Sequence, residues 1–316
     1  MLDLAIIGGG PAGLTAGLYS TRGGLKNVVM FERGMPGGQI TQSSEIENYP
    51  GVFREDPPLT GMELMERWLP QCMHFGLKHD MSEVKNVSKE GDIFTITLAN
   101  GEKKEAKSVI VCTGSTPKKA GFKGEDEFFG KGVSTCATCD GFFYKGQEVA
   151  VLGGGDTALE EALYLANIAK KVYVIHRRDT FRAAPPTVER AKKKENIEFI
   201  LNATIKEAYG NEMGLEGLII EKNDGEIIDL KVSGVFVFVG TKVNNEVLKQ
   251  DDGSFLCDVN DNGEVIVNLK MHTSTPGLFA AGDIRVDAPK QVVCAAGDGA
   301  IAGMQAIDYV GEHFED

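Results

Sequence analysis

Apolar runs alternate with glycine turns and polar stretches along this chain, and two of the runs share one design. LAIIGGGPAG (Leu4–Gly13) and VAVLGGGDTA (Val149–Ala158) are each a short apolar run, then glycines, then an Ala-rich segment with helical spacing. Each predicts a strand, a tight turn and a helix. A second pair, VIVCTGS (Val109–Ser115) and VFVFVGT (Val235–Thr241), predicts in both halves a β-rich strand that ends at a glycine. Between them lie stretches of period two, DIFTITLANGEKKEA with Asn100-Gly101 and GLIIEKNDGEIIDLKV with Asp224-Gly225. Alternation around Asn-Gly or Asp-Gly predicts antiparallel hairpins.

The pattern reads as two copies of one α/β plan: a dinucleotide fold, an inserted antiparallel meander and a return strand. After Thr241 the segment to about Lys249 is polar and reads as a linker. The tail adds one more strand and turn, GLFAAGD (Gly277–Asp283), and an Ala/Gly-rich helical stretch from about Gln291 to Val310. It is too short for a third copy and so completes the first. The expected domains are 1–116 with 248–316, and an inserted 117–247. Pro70, inside LMERWLPQCMHF, is expected to break or kink a helix.

Length and composition fit this division. The 316 residues suffice for two domains with separate cores. With 42% hydrophobic and 25% charged residues, the composition is that of an ordinary globular protein. No apolar run approaches the roughly 20 residues of a membrane span. Asp3 interrupts any hydrophobic leader, and a strand begins at once behind it, so a cytoplasmic protein is expected. A net charge of −13 weighs against nucleic acid or an anionic membrane as partner. One stretch runs against that trend: Lys170, Lys171, Arg177, Arg178, Arg182, Arg190, Lys192, Lys193 and Lys194 read partly as a solvated face and partly as a local anion site.

Gly8-x-Gly10-x-x-Gly13 follows a strand and opens a helix, the context in which such glycines admit a pyrophosphate and the helix N-terminus attracts it. Glu32 ends the next strand, where a carboxylate can accept the hydroxyl protons of an unphosphorylated adenosine ribose. Gly153-x-Gly155-x-x-Ala158 differs at that position. Its next strand ends in His176-Arg177-Arg178, with Arg182 shortly after, and guanidinium groups suit a 2′-phosphate. The economical assignment is FAD at the first turn and NADPH at the second, with hydride passing between them.

STCATCDGF (Ser134–Phe142) supplies the remaining chemistry. Cys136 and Cys139 are the only cysteines at short spacing, and Cys72, Cys112, Cys257 and Cys294 are expected to be buried apolar residues. A zinc site needs two more ligands at similar spacing; Cys72 with His74 is a weak substitute, and no metal site is expected. A structural disulfide is unusual in a reducing compartment. A redox-active dithiol/disulfide couple remains. Asp140 suits it as a proton carrier for the thiolate released when a disulfide is cleaved. The acceptor must itself undergo thiol–disulfide exchange.

GGGPAGLTAGLYSTRGG, PGGQITQSSEIENYPG, STCATCDGFFYKG, GGGDTALEEALYLANIAKKVYVIHRRDTFRA and GLFAAGDIRVDAPKQVVCAAGDGAIAG together resemble the bacterial-type, low-molecular-weight thioredoxin reductases, from Met1 nearly to the C-terminus. The resemblance implies an α/β fold of two glutathione-reductase-like, three-layer dinucleotide-binding domains, the NADPH domain inserted into the FAD domain. It implies FAD along Gly8, Gly10, Pro11, Ala12, Gly13, Glu32 and Arg33. Gly38, Gln39, Asn48, Thr113, Gly114, Gly282, Asp283, Lys290, Gln291 and Val292 would complete that site, although many relatives carry Arg at the position of Lys290. NADPH would lie along Gly153, Gly155, Asp156, Thr157, Ala158, His176, Arg177, Arg178 and Arg182. Cys139 would take electrons from the flavin, Cys136 would attack thioredoxin, and Asp140 would supply protons. Lys131 is a candidate docking contact for thioredoxin, with a plain solvated lysine the stronger reading. The resemblance further implies a homodimer through the FAD domains. It also implies rotation of the NADPH domain about connections near Thr116–Lys118 and Asn244–Lys249. Other readings are a reductase of another thioredoxin-like or peroxiredoxin partner, a ferredoxin or flavodoxin reductase, which needs no cysteine pair, and a non-catalytic redox sensor.

Overall fold

In the computed structural model, which describes residues 1–43 and 46–314, the first apolar run forms β1 (Leu2–Ile7) and the first Ala-rich segment α1 (Pro11–Arg22). Pro11 stands at the first helical position, where its missing N–H has no intrahelical partner to lose. Then come β2 (Val28–Phe31), α2 (Gly61–His74), β3 (Lys78–Asp80), β4 (Val84–Glu90), β5 (Ile93–Leu98) and β6 (Lys103–Val111). β1 lies parallel to both β2 and β6, and Leu4, Ala5 and Ile6 are fully buried. Their alternation sends Leu4 and Ile6 toward the helices and Ala5 and Ile7 into a second core with Val87, Phe94 and Ile96. β5 and β6 form the hairpin expected at Asn100-Gly101, where Asn100 Oδ1 accepts the Glu102 amide and Gly101 has φ +86°.

α2 runs through Pro70, so of the two outcomes expected there, a break or a kink, the break does not occur. Its start is fixed by a capping box in which Thr60 and Glu63 satisfy each other's backbone N–H groups. Glu66, whose carbonyl loses its partner at Pro70, and Pro70 itself are both exposed, so water can serve the freed group.

The chain crosses to a second unit at β7 (Ser115–Pro117) and returns at β16 (Thr241–Val243). The two compact units are Met1–Thr116 with Val243–Asp316, and Pro117–Lys242. The second unit contains β8 (Val133–Ser134), α3 (Ala137–Asp140), β9 (Glu148–Gly153), α4 (Asp156–Leu165), β10 (Lys171–His176), α5 (Pro185–Lys192) and β11 (Ile197–Leu201). After these come β12 (Ala203–Asn211), β13 (Gly214–Lys222), β14 (Ile227–Leu230) and β15 (Gly234–Phe238). A parallel sheet of order β11-β10-β9-β15-β8 lies between helices and the antiparallel β12-β13-β14 meander. Asp224 Oδ1 accepts the Glu226 amide in the second expected hairpin, with Gly225 at φ +90°.

Back in the first unit, β17 (Leu278–Ala280) pairs with β6, and α6 (Val292–Phe314) closes the unit against α1. Gly299 and Gly303 permit that approach: a Cβ on them would stand 2.1 Å from Ala12 O and 2.8 Å from Ala16 O. In both units the strand order reverses beside the strand that carries the glycine turn, between β1 and β6 and between β9 and β15. Crevices at such reversals are where α/β sheets bind ligands. Among the described residues, no helix is long and apolar enough to cross a membrane, and no cluster of His, Cys, Asp and Glu could hold a metal ion.

Candidate functional site

At the first turn two glycines are packed and one is open. A Cβ on Gly8, at φ +106°, would lie 2.4 Å from Cys112 O, and one on Gly13 would lie 1.9 Å from Gly8 O. A Cβ on Gly10 would meet nothing nearer than Gly38 Cα at 3.9 Å, which leaves a cradle over the N-terminus of α1. Glu32 lies beside it. Its Oε2 accepts the Gly9 amide at 2.9 Å and its Oε1 the Gly34 amide at 3.2 Å, so the carboxylate braces the turn and keeps lone pairs for further donors. Arg33 turns outward, 3.7 Å from Glu83. Gln39 donates to Ser115 O, and Asn48 donates to Gln291 Oε1 at 3.3 Å. Thr113 Oγ1 donates to Asn244 O at 2.6 Å, and the Asn244 amide bonds Gly114 O at 3.0 Å. Gly282 holds φ +78°. After it, Asp283 accepts no hydrogen bond among the described residues, and burial pushes its carboxyl above the usual carboxylate range. Lys290 is exposed, at φ +56°, and Val292 opens α6.

The second turn repeats the arrangement. A Cβ on Gly153 would meet Phe238 O at 2.6 Å and Ala158 Cβ at 2.7 Å, whereas one on Gly155 would meet nothing within 4 Å. Asp156 and Thr157 form the exposed first turn of α4. Asp156 Oδ1 accepts the Ala184 amide at 2.7 Å, and Gly154 O accepts the Arg182 amide at 2.8 Å, which ties the loop after β10 to the turn. His176 lies behind the turn rather than over it. Its ring fills the space that a side chain on Gly154 would take, stacks on Phe181 and bonds Thr180 O at 3.1 Å. Burial, then the fields of Arg177, Arg178 and Arg182, push its pKa below the ordinary histidine value, against the Thr180 bond. Those three arginines are exposed and, among the described residues, ion-paired with nothing. Their neighbours differ: Lys170 pairs with Glu148 at 2.8 Å and Lys171 with Glu198 at 2.6 Å. Among the described residues, the basic run thus holds exposed guanidinium groups without an ion pair as well as a solvated, paired face.

Cys136 and Cys139 form a disulfide at the start of α3, with Cα atoms 5.3 Å apart. Ser134 organises its surroundings. Its Oγ accepts the Cys136 amide at 3.0 Å and donates to Asp140 Oδ2 at 2.5 Å. Burial raises the Asp140 carboxyl and the Ser134 bond partly offsets this. Burial and the nearby Asp140 push the Tyr144 hydroxyl up to about 12. Cys136 Sγ lies 3.2 Å from the Cys139 amide and 3.4 Å from Thr138 Oγ1. Of the other cysteines Cys72, Cys112 and Cys257 are buried as expected, while Cys294 is half-buried. Burial raises Cys72 to about 11 and Cys257 to about 12, which leaves them unreactive.

The family model of pyridine nucleotide-disulphide oxidoreductases matches residues 2–299. A thioredoxin reductase of Helicobacter pylori is 59% identical, over 99% of this chain and 100% of its own length. The chain belongs to the thioredoxin reductases. Another family member, from Peptoclostridium acidaminophilum, is 45% identical over 99% of this chain and 98% of its own. The solved thioredoxin reductase of Streptococcus pyogenes is 37% identical and superposes with a TM-score of 0.91 over 99% of both chains. That of Giardia duodenalis is 34% identical, with a TM-score of 0.90 over 98% of this chain and 99% of its own.

Within this family member, the first unit brings together the Gly8–Gly13 turn, Glu32 and the Gly282–Asp283 turn, and the second brings the three arginines to the Gly153–Ala158 turn and carries the disulfide elsewhere in the same unit. Sequence reasoning missed Arg285 and Asp298, a buried ion pair with Nε–Oδ2 at 2.6 Å that holds the Gly282 amide. The available signal was an aspartate amid small residues in AAGDGA.

Proposed function

We propose that this protein transfers electrons from NADPH, through FAD, to the Cys136–Cys139 disulfide, and from the resulting dithiol to the disulfide of a thioredoxin. The observation that carries the proposal is the oxidised cysteine pair, set beside a half-buried Asp140 that is bonded to Ser134 and raised by burial, and in the same unit as a glycine turn with unpaired arginines. Both cradles fit a dinucleotide, since the middle glycine of each faces open space above a helix N-terminus. At the first, Glu32 suits unphosphorylated ribose and Asp283 has acceptor capacity left. At the second, Arg177, Arg178 and Arg182 suit a 2′-phosphate. FAD, when bound, supplies two-electron chemistry that links a hydride donor to a disulfide.

The residues of the chain then perform the exchange. Opening the disulfide consumes two electrons and two protons. The Cys139 amide and the Thr138 hydroxyl both favour a thiolate on Cys136, which makes Cys136 the sulfur that attacks the partner disulfide. Attack forms a Cys136–partner bond and releases one partner thiol. Cys139 then attacks Cys136, releases the second and restores the internal disulfide. Asp140 protonates the departing thiolate. A hinge at the two chain crossings would let the cysteine-bearing unit serve reduction and exchange in turn. Asn244 joins Thr113 on the first-unit side of the crossings, and the Lys118 amide bonds Gly240 O on the second-unit side. A cytoplasmic homodimer is part of the same reading.

NADPH oxidation with a panel of purified thioredoxins and glutaredoxins tests the proposal. Thioredoxin-dependent oxidation that disappears in Cys136→Ser is expected. Acceptor reduction that survives this substitution would refute the disulfide route.

A further inference from the structure

Among the described residues of the first unit, the Arg285–Asp298 pair is largely shielded from solvent and is not used by the exchange chemistry. Asp298, in the first turns of α6, is 7% exposed. Its Oδ2 accepts Arg285 Nε at 2.6 Å and the Gly282 amide at 3.1 Å, and its Oδ1 accepts Arg285 Nη2 at 3.1 Å. Arg285 Nη1 donates in turn to Val286 O at 2.9 Å. The loop after β17 is thereby laced to α6. A buried ion pair is a weak source of stability, because desolvation offsets most of its attraction, and its geometry is the better reason for its presence.

That geometry fixes the Gly282–Asp283 turn beside the first glycine turn. A Cβ on Gly282 would stand 3.1 Å from Ala12 Cβ, so the loop already lies against the first turn of α1. Gly299, next to Asp298, packs against Ala12 O from the other side of the contact. The Gly282 amide is spent on Asp298, which leaves the Asp283 carboxyl, with no hydrogen bond among the described residues, as the group this turn can offer. We infer that Asp298, held by the Arg285 fork, is a positioning residue for the flavin, fixing the Gly282 amide and so presenting the Asp283 carboxyl to the dinucleotide at the Gly10 cradle. The inference rests on the FAD reading of that cradle.

The test uses the purified holoprotein. Asp298→Asn preserves shape and removes the charge. Flavin release is followed by fluorescence after dilution, at a temperature well below the melting transition, and melting is recorded separately. Release about tenfold faster or more is expected, the ordinary consequence of unmaking a charged hydrogen bond. Arg285→Lys, which keeps the charge but not the fork, is expected to fall between wild type and Asp298→Asn, and it decides the matter if Asp298→Asn does not fold. A lowered melting temperature with wild-type release below the transition, in either variant, would show a merely structural pair and overturn the inference. Wild-type protein that binds no FAD would overturn the cofactor reading itself, and this inference with it.

Discussion

Adjacent glycines in the second turn should respond in opposite ways to the same added methyl group. In Gly154→Ala the new Cβ would stand 2.2, 2.4 and 2.5 Å from three atoms of the His176 ring. The ring cannot yield readily, being 7% exposed, stacked on Phe181 and bonded to Thr180 O. Overpacking of this kind costs about 1–3 kcal/mol. Displacing Gly154 also strains its carbonyl bonds from the Arg182 and Ala183 amides, at 2.8 and 3.3 Å, each worth about 1 kcal/mol. A loss of roughly 2–4 kcal/mol follows, or about 8–16 °C in the melting of this unit at about 4 °C per kcal/mol. Gly155→Ala meets no atom within 4 Å and has φ −96°, ψ 177°, open to any residue. Its stability cost stays below about 1 kcal/mol, the difference between Gly and Ala at a helix N-cap. The methyl group does, however, occupy the pyrophosphate cradle, and NADPH should bind about ten- to hundredfold more weakly. Calorimetry and NADPH fluorescence titration on both variants separate the effects. Wild-type NADPH affinity in Gly155→Ala, or Gly154→Ala no less stable than Gly155→Ala, would refute the reasoning.

Three further outcomes are expected. Arg177→Ala and Arg178→Ala should raise the Michaelis constant for NADPH and leave that for NADH nearly unchanged, and equal losses with both would remove the phosphate assignment. Asp140→Asn should lower kcat with thioredoxin by about 10²–10⁴, the ordinary contribution of a general acid, while stability at neutral pH is maintained or improved. The sign follows from the raised folded-state pKa, since the carboxyl's favourable contribution is complete at low pH and is lost as pH rises through that pKa. Glu161 is raised by burial and has an Oε2 with no hydrogen-bond partner, so Glu161→Leu should raise the melting temperature at alkaline pH more than at acid pH. Equal shifts at both ends, measured by thermal melting across pH, would exclude that account.

Much of the architecture was legible because local signals agreed. Glycine turns between apolar runs and Ala-rich helices, and Asn-Gly or Asp-Gly between alternating runs, are short-range patterns, and each produced its element. Pro70 does not end α2, since a proline's penalty depends on what can serve the carbonyl it frees, and Glu66 and Pro70 are both exposed. His176 was grouped with the arginines by adjacency, yet it is the space left by Gly154 that decides where the ring goes. The Arg285–Asp298 pair was invisible for a similar reason: its residues are distant in sequence and come together only when α6 packs on the loop after β17. Cysteine spacing, in contrast, carried its meaning directly, since a disulfide across two intervening residues needs only local geometry.

The pairing of β17 with β6 also has a consequence for synthesis on the ribosome. Residues 117–242 form a unit whose strands all come from one uninterrupted stretch, so it can fold as soon as that stretch has emerged. The first unit begins earlier and finishes later. Until residues 278–314 arrive, β6 has an unpaired edge at Val109–Val111 and α1 lacks the helix that covers it. During that interval the nascent chain displays a hydrophobic strand edge beside an already finished neighbour, the condition in which unpaired strands invite aggregation. The last part of the chain to be made therefore sets how long the first part stays vulnerable.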